Sequence, residues 1–161
     1  MARKRSGAGH PLDPLGADEI QAAVDAVRAS GRVADTALFS SVTLDEPSRA
    51  AVASHRPGQP FERRARLVVL PGPDASVVEA LIALPDGEIV AWTEREGVRP
   101  ALLFDDAYRA TLALRADPDW QAAMRRRGIT DFDRVQIDPW PTGNFGRQME
   151  EGRRAVRCRD G

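Results

Sequence analysis

The stretch ARLVVLPGPDASVVEALIALPDGEIVAWT, residues 65–93, decides the fold. Ala65–Leu70 is apolar and carries two adjacent β-branched residues, which suits a strand. Pro71-Gly72-Pro73-Asp74 turns the chain, since two prolines and a glycine exclude regular pairing. Ser76–Leu84 returns with Val78, Ala80, Ile82 and Leu84 two residues apart, and therefore on one face. Asp86-Gly87 signals a tight hairpin because both residues tolerate positive φ. Glu88–Thr93, with Ile89, Val90 and Trp92, completes an antiparallel meander.

Upstream, the segment from Ala37 to Leu44 adds a strand with Leu38, Val42 and Leu44 on one face, and Glu46-Pro47 breaks it. Ser48–His55 stays open between a helical turn and a short strand, and Arg56–Pro60 is a loop. A helix precedes these strands. Gly16 is its N-cap, and Glu19 sits three residues on, where it reaches back to the cap amide. Ile20, Val24 and Val27 share one face, and Gly31 ends the helix through a left-handed turn. An amphipathic helix this short must lie on something, and the sheet is at hand. The first unit is therefore α+β, one helix packed on about four antiparallel strands. Residues 14–97 are its stable core, with Trp92 buried.

The 161 residues are 42% hydrophobic and 29% charged, enough apolar side chain for a core. The 23 basic and 24 acidic residues leave a net charge of −1, so the chain as a whole has no electrostatic case for nucleic acid or an anionic membrane. Cys158 is the single cysteine, which excludes an intrachain disulfide. His10 and His55 are the two histidines, too few for a three-histidine metal site. No run approaches the ~20 apolar residues of a membrane span. Residues 1–12 read as a disordered basic lead without the apolar region of a secretory signal, so the expected location is cytoplasmic.

A second unit begins after Gly97-Val98-Arg99-Pro100. Asp105 is the expected cap of a helix running to about Ala116, with Tyr108, Leu112 and Arg115 on one side. Asp117-Pro118 restarts the helix, because Asp caps and Pro suits the first helical position. Trp120, Ala123 and Met124 form the apolar face of this next helix. Arg125-Arg126-Arg127 suits the negative end of its dipole, and Gly128 stops it. Arg134–Asp138 reads as a strand that Pro139-Trp140-Pro141 breaks. With one convincing strand, this unit looks unfinished.

These residues carry a resemblance. His10-Pro11-Leu12-Asp13-Pro14-Leu15 before the first helix resembles the opening of the copper-containing primary-amine oxidases. Val42–Pro47, Arg63-Arg64-Ala65, Val90-Ala91-Trp92, Gly97–Pro100, Arg127-Gly128-Ile129 and Val135–Trp140 with Gly143 follow in the family's order. Gly16 departs from it, since a serine-like cap is usual there. The resemblance implies two tandem cystatin-like domains, each a helix on a four-stranded antiparallel sheet. The expected boundaries are 13–97 for the first and 98–161 for the second. The second would be truncated, because the chain stops within the strand that Gly152–Arg157 opens.

In the family these domains precede a larger, homodimeric catalytic domain. There three histidines hold copper and a tyrosine in an Asn-Tyr-Asp/Glu context becomes topaquinone. This chain matches none of that. Its one tyrosine, Tyr108, lies in Ala107-Tyr108-Arg109. No catalytic, cofactor-binding or metal-binding residue is expected here; copper and topaquinone belong to the full-length family. The expected partner is the remainder of an amine oxidase. Trp140 and Tyr108 are the candidates for flanking a substrate channel. The competing expectation is a free-standing cystatin-like interaction module that presents Arg63, Arg64 and Arg66 on its sheet.

Overall fold

The computed structural model describes residues 9–72, 76–84, 86–143 and 155–160. The chain divides into two compact units, Met1–Val98 and Arg99–Gly161. No helix among the described residues is long and apolar enough to cross a membrane.

The first unit contains α1 (Ala17–Ala29), β1 (Leu38–Leu44), α2 (Arg49–Ser54), β2 (Arg64–Leu70), β3 (Val77–Ala83) and β4 (Glu88–Arg95). The four strands form one antiparallel sheet in the order β1-β2-β3-β4, as the alternation predicts. The open stretch at 48–55 is helical. Ser48 caps it by accepting a hydrogen bond from the Ala51 amide at 3.2 Å.

The helix meets the sheet through smaller side chains than the periodicity suggests. Ala23 and Val27 are fully buried against Ala65, Leu67, Val69, Val78, Ala80 and Ile82. Val24 is partly buried, whereas Ile20 is 37% exposed. The buried line is thus rotated from Ile20–Val24–Val27 toward Ala23, because alanine lets the helix backbone approach the sheet. The approach is close at the β3–β4 turn as well. A Cβ on Gly87, whose φ is +69°, would stand 3.4 Å from the Ala26 Cβ. Leu67 and Ile82, among the largest fully buried side chains, contribute roughly 2–3 kcal/mol each by burial.

Two β-bulges decide which side chains join this core. In the β1–β2 ladder Phe39 pairs with Val69 and Ser41 with Val68, so Ser40 is left over. The extra residue flips the alternation, and Phe39 and Val42, three apart, both pack on the core. Phe39 takes the place expected for Leu38. In the β3–β4 ladder Leu81 pairs with Ala91 and Ile82 with Ile89, leaving Val90 over. Ile89 and Trp92 therefore share the core face, while Val90 is exposed. Trp92 is half-buried rather than buried, and the Arg32 guanidinium lies over its ring at 5.4 Å.

A buried ion pair ties the chain leading into α1 to the sheet. Arg63, 8% exposed, donates from Nε to Glu19 Oε1 at 2.6 Å and from Nη2 to Glu19 Oε2 at 3.0 Å. The same Nη2 donates to the Asp13 and Pro14 carbonyls at 3.0 and 3.2 Å. Glu19 also accepts the Gly16 amide at 2.9 Å, the half of a capping box that needs no side chain at the cap. The Arg63 hydrogen bond, helped by the Gly16 amide and opposed by burial, holds the Glu19 carboxyl below its ordinary pKa.

Residues 9–12, expected to belong to a disordered lead, are ordered. The Asp13 carboxylate accepts the Gly9 and His10 amides, each at 2.8 Å. The His10 ring meets His55 edge-on at 5.5 Å, and His55 meets Phe61 at 5.2 Å. Residues 1–8 lie outside the described residues.

The second unit contains α3 (Phe104–Ala116), α4 (Pro118–Arg126), a 3₁₀ turn (Phe132–Arg134), β5 (Ile137–Pro141) and β6 (Val156–Asp160). The cap of α3 is Leu103 rather than Asp105; Asp106 accepts the Leu103 amide at 3.1 Å. Asp117 caps α4 by accepting the Trp120 amide at 2.8 Å. Gly128 ends that helix at φ +81°. Its amide donates to Arg125 and that of Ile129 to Met124, a Schellman closure. Met124, Val135 and Ile137 are buried.

The expected strand at 134–138 is displaced. Residues 132–134 form the 3₁₀ turn, and the strand runs through the two prolines. Its partner is β6, antiparallel, with Pro139 opposite Cys158 and Trp140 opposite Arg157. The single-strand reading is therefore corrected to a two-stranded sheet. The Thr142 amide donates to the Ala155 carbonyl, which places residues 138, 140 and 142 toward β6. Pro139 and Pro141 then point their nitrogens outward, where a missing N–H costs no ladder bond.

Val27→Asp should cost several kcal/mol, roughly the level of a severe core lesion, whereas Ile20→Asp should shift the urea midpoint little. Equal effects would mean that the buried line is misassigned. Arg63→Met should cost about 2–3 kcal/mol, at the low end for a broken buried pair because Glu19 is partly hydrated. Because the folded-state pKa of Glu19 is depressed, its stabilisation is full above its ordinary value of 4.5 and is lost as pH falls below it toward the folded-state pKa. Glu19→Gln should therefore flatten the stability profile in that acid window, and an unchanged acid limb would contradict the assignment.

Candidate functional site

The side chains that sequence reasoning singled out fall into three groups. The first is the arginines of β2 and the residue before it. Arg63 is committed to Glu19 and the lead. Arg64 pairs with Glu62 at 2.9 Å and Arg66 with Asp45 at 2.7 Å. Arg64 and Arg66 lie on the sheet face opposite α1, by alternation with buried Ala65 and Leu67. On β3, Glu79 accepts from Arg95 at 3.0 Å, and that bond holds its carboxyl below the ordinary value. The outer face is a lattice of paired, solvated charges, each pair of small energetic worth. The expectation of three arginines presented on the sheet is corrected for Arg63, which is buried; Arg64 and Arg66 stay exposed in surface pairs.

The second group is the histidines. His10 and His55 do come together, but as an aromatic contact. The His10 Nδ1 accepts the Leu12 amide at 3.1 Å. Among the described residues no three His, Cys, Asp or Glu side chains are placed to hold a metal. Two histidines do not fit a copper site of three histidine ligands. Cys158 is partly buried in β6, and burial pushes its thiol pKa up, opposite to what a reactive thiolate needs.

The third group is Tyr108 and Trp140. Both are exposed. Tyr108 lies on α3, where its ring stacks on Phe104 at 6.5 Å with an interplanar angle of 6°. Trp140 lies on β5 and alternates with buried Ile137, so it occupies the other face of the two-stranded sheet. The two rings sit on different elements and share no ring contact among the described residues. Phe104 is exposed beside Tyr108 and was missed by the sequence reading. The signal was the spacing Phe104, Tyr108, Leu112, but Asp105 taken as the cap left Phe104 outside the helix.

Known proteins share stretches of this sequence and fold. The model of the AGAO-like N2 domain matches residues 16–92. The chain is similar to a primary amine oxidase of Arthrobacter sp. (strain P1), 36% identical over 153 residues. That match covers 94% of this chain and 23% of the relative. It is also similar to a primary amine oxidase of Klebsiella aerogenes, 32% identical over 139 residues, covering 84% of this chain and 18% of the relative. In fold it resembles the crystal structure of a copper-containing benzylamine oxidase from Hansenula polymorpha. The TM-score is 0.73 at 18% identity, covering 92% of this chain and 24% of that one. The chain thus spans about a quarter or less of the length of these relatives. Residues 16–92 match the AGAO-like N2 domain, and the chain is similar over most of its length to the N-terminal region of the copper amine oxidases.

Proposed function

We propose that this chain serves as the N-terminal, non-catalytic portion of a copper- and topaquinone-dependent primary-amine oxidase. The reaction of such an enzyme converts a primary amine, oxygen and water to an aldehyde, ammonia and hydrogen peroxide. One observation carries the reading: identity at 36% is spread over 94% of this chain yet covers 23% of the relative. With two histidines and one tyrosine, the chain does not itself fit the copper and quinone centre. In this reading its partner is the catalytic portion, itself a homodimer, and the setting is cytoplasmic.

The second unit is then a partial copy of the first, with helices and, among the described residues, two strands instead of four. Its contribution is a wall of the substrate channel. Trp140 suits that role, because Pro139 and Pro141 stiffen the backbone on either side and its ring is exposed. A large rigid face orients an apolar substrate at little entropic cost. Tyr108 is the second wall residue. The alternative of a free-standing interaction module loses Arg63 from its proposed surface, since Arg63 is buried against Glu19.

The test is a chimera in which residues 9–160 replace the matching segment of the Arthrobacter enzyme. The chimera should release hydrogen peroxide from a primary amine, and the 161-residue chain alone should release none. Trp140→Ala in the chimera should raise KM by roughly 3- to 10-fold with kcat nearly unchanged, the mark of lost substrate binding. Peroxide from the chain alone would contradict the non-catalytic role. An unchanged KM would remove Trp140 from the channel.

A further inference from the structure

The segment that leads into α1 is held down through two imidazole rings. Pro11 is buried and Leu15 packs on the core, while His10 carries the outer end. The His10 Nδ1 accepts the Leu12 amide at 3.1 Å, a bond that needs a ring unprotonated at that nitrogen. The His10 ring meets the His55 ring edge-on at 5.5 Å, and His55 meets Phe61 in the same way at 5.2 Å. The His55 ring is partly buried. Its Nε2 is covered and meets no hydrogen-bond partner among the described residues.

The charges around this stack set its response to a proton. On the lead, the Asp13 carboxylate accepts the Gly9 and His10 amides and favours a charge on His10. After α2, the Arg56 guanidinium donates to the Ala53, Ser54 and His55 carbonyls at 3.4, 3.3 and 3.0 Å. Ahead of β2, Glu62 pairs with Arg64. Arg63 holds Glu19 of α1 and the Asp13 and Pro14 carbonyls. The charge fixed on the His55 backbone is therefore positive, and Glu62 and Glu19 are engaged elsewhere. A proton on His55 adds a second positive charge beside Arg56 and covers a charged ring nitrogen that has no acceptor. A proton on His10 removes the acceptor of the Leu12 amide, and two imidazoliums in contact repel. Once the lead lifts, both rings stand in water and take up protons without these costs.

We propose that residues 9–12 form a proton-released strap, held on the first unit by the neutral His10–His55–Phe61 stack and lifted when the two rings are protonated. His55 is the main sensor, because Asp13 opposes release through His10. The lifted form binds more protons, so falling pH shifts the population toward it. The change is local: Leu15 stays on the core, Arg63 keeps Glu19, and the four-stranded sheet is untouched. The proposal does not rest on the amine-oxidase reading.

Amide exchange at Leu12, read by NMR and corrected for the intrinsic effect of pH, tests it between about pH 7.5 and about pH 5.5. That window spans imidazole titration and stays above that of carboxylates, so it is clear of the acid limb assigned to Glu19. Leu12 protection should fall at least about 10-fold, within the limit of about 10-fold per pH unit for each proton taken up. Protection of β2 and β3 should not change. His55→Phe keeps an aromatic edge on His10 and Phe61 and takes no proton, so most of the response should vanish with the strap still down. In His10→Gln the side-chain oxygen still accepts the Leu12 amide, and the response should shrink. Leu12 protection indifferent to pH in the unaltered chain would overturn the proposal. So would a response in either variant as large as in the unaltered chain. A strap released at both pH values in His55→Phe would also contradict it, since the ring contact and not the nitrogen is held to keep the lead down.

Discussion

The contact between α1 and the sheet sets the rest of the first unit. Ala23 and Val27 lie fully buried on Ala65, Leu67, Val69, Val78, Ala80 and Ile82. One helix is narrower than four strands, so the sheet must bring its outer strands to the helix. It does so with bulges at Ser40 and Val90, which turn Phe39, Val42, Ile89 and Trp92 inward at spacings that plain alternation forbids. Bulges also strengthen local twist and spoil an edge for further pairing. They sit on β1 and β4, the two edges. The same device thus completes the core and guards the sheet. Arg63 closes the arrangement from one end, gripping Glu19 and the Asp13 and Pro14 carbonyls at once.

What was legible in the sequence was whatever rests on local chemistry. The meander of 65–93, the Gly31 and Gly128 stops and the Asp117-Pro118 restart all depend on backbone preferences within a few residues. The register of β1 and β4 was not legible, because a bulge is a property of two strands together. Leu38 looked inward by period two, and only the pairing of Phe39 with Val69 shows otherwise. Arg63 looked like surface charge, since its partner is 44 residues away. Pro139 and Pro141 looked like strand breakers. They are tolerated because their nitrogens face away from β6, a fact set by the Thr142–Ala155 bond.

The candidate site was legible as residues and not as a surface. Tyr108 and Trp140 were singled out, and both are exposed. Phe104 completes the α3 stripe but lay one residue before the expected cap. The second unit leaves Phe104, Tyr108, Leu112 and Trp140 outside, and the two strands among its described residues offer its helices little sheet to cover. That imbalance is what the amine-oxidase reading addresses, with a catalytic portion beside the second unit.

The central claim is that the two units are unequal: one closes on its own core, the other presents a surface. Amide hydrogen exchange on the 161-residue chain at low concentration measures this directly. The account predicts the slowest exchange in β2 and β3, whose strands are paired on both sides, and markedly faster exchange throughout 104–141. Protection of α3, α4 and β5 equal to that of β2 and β3 in a monomer would contradict it.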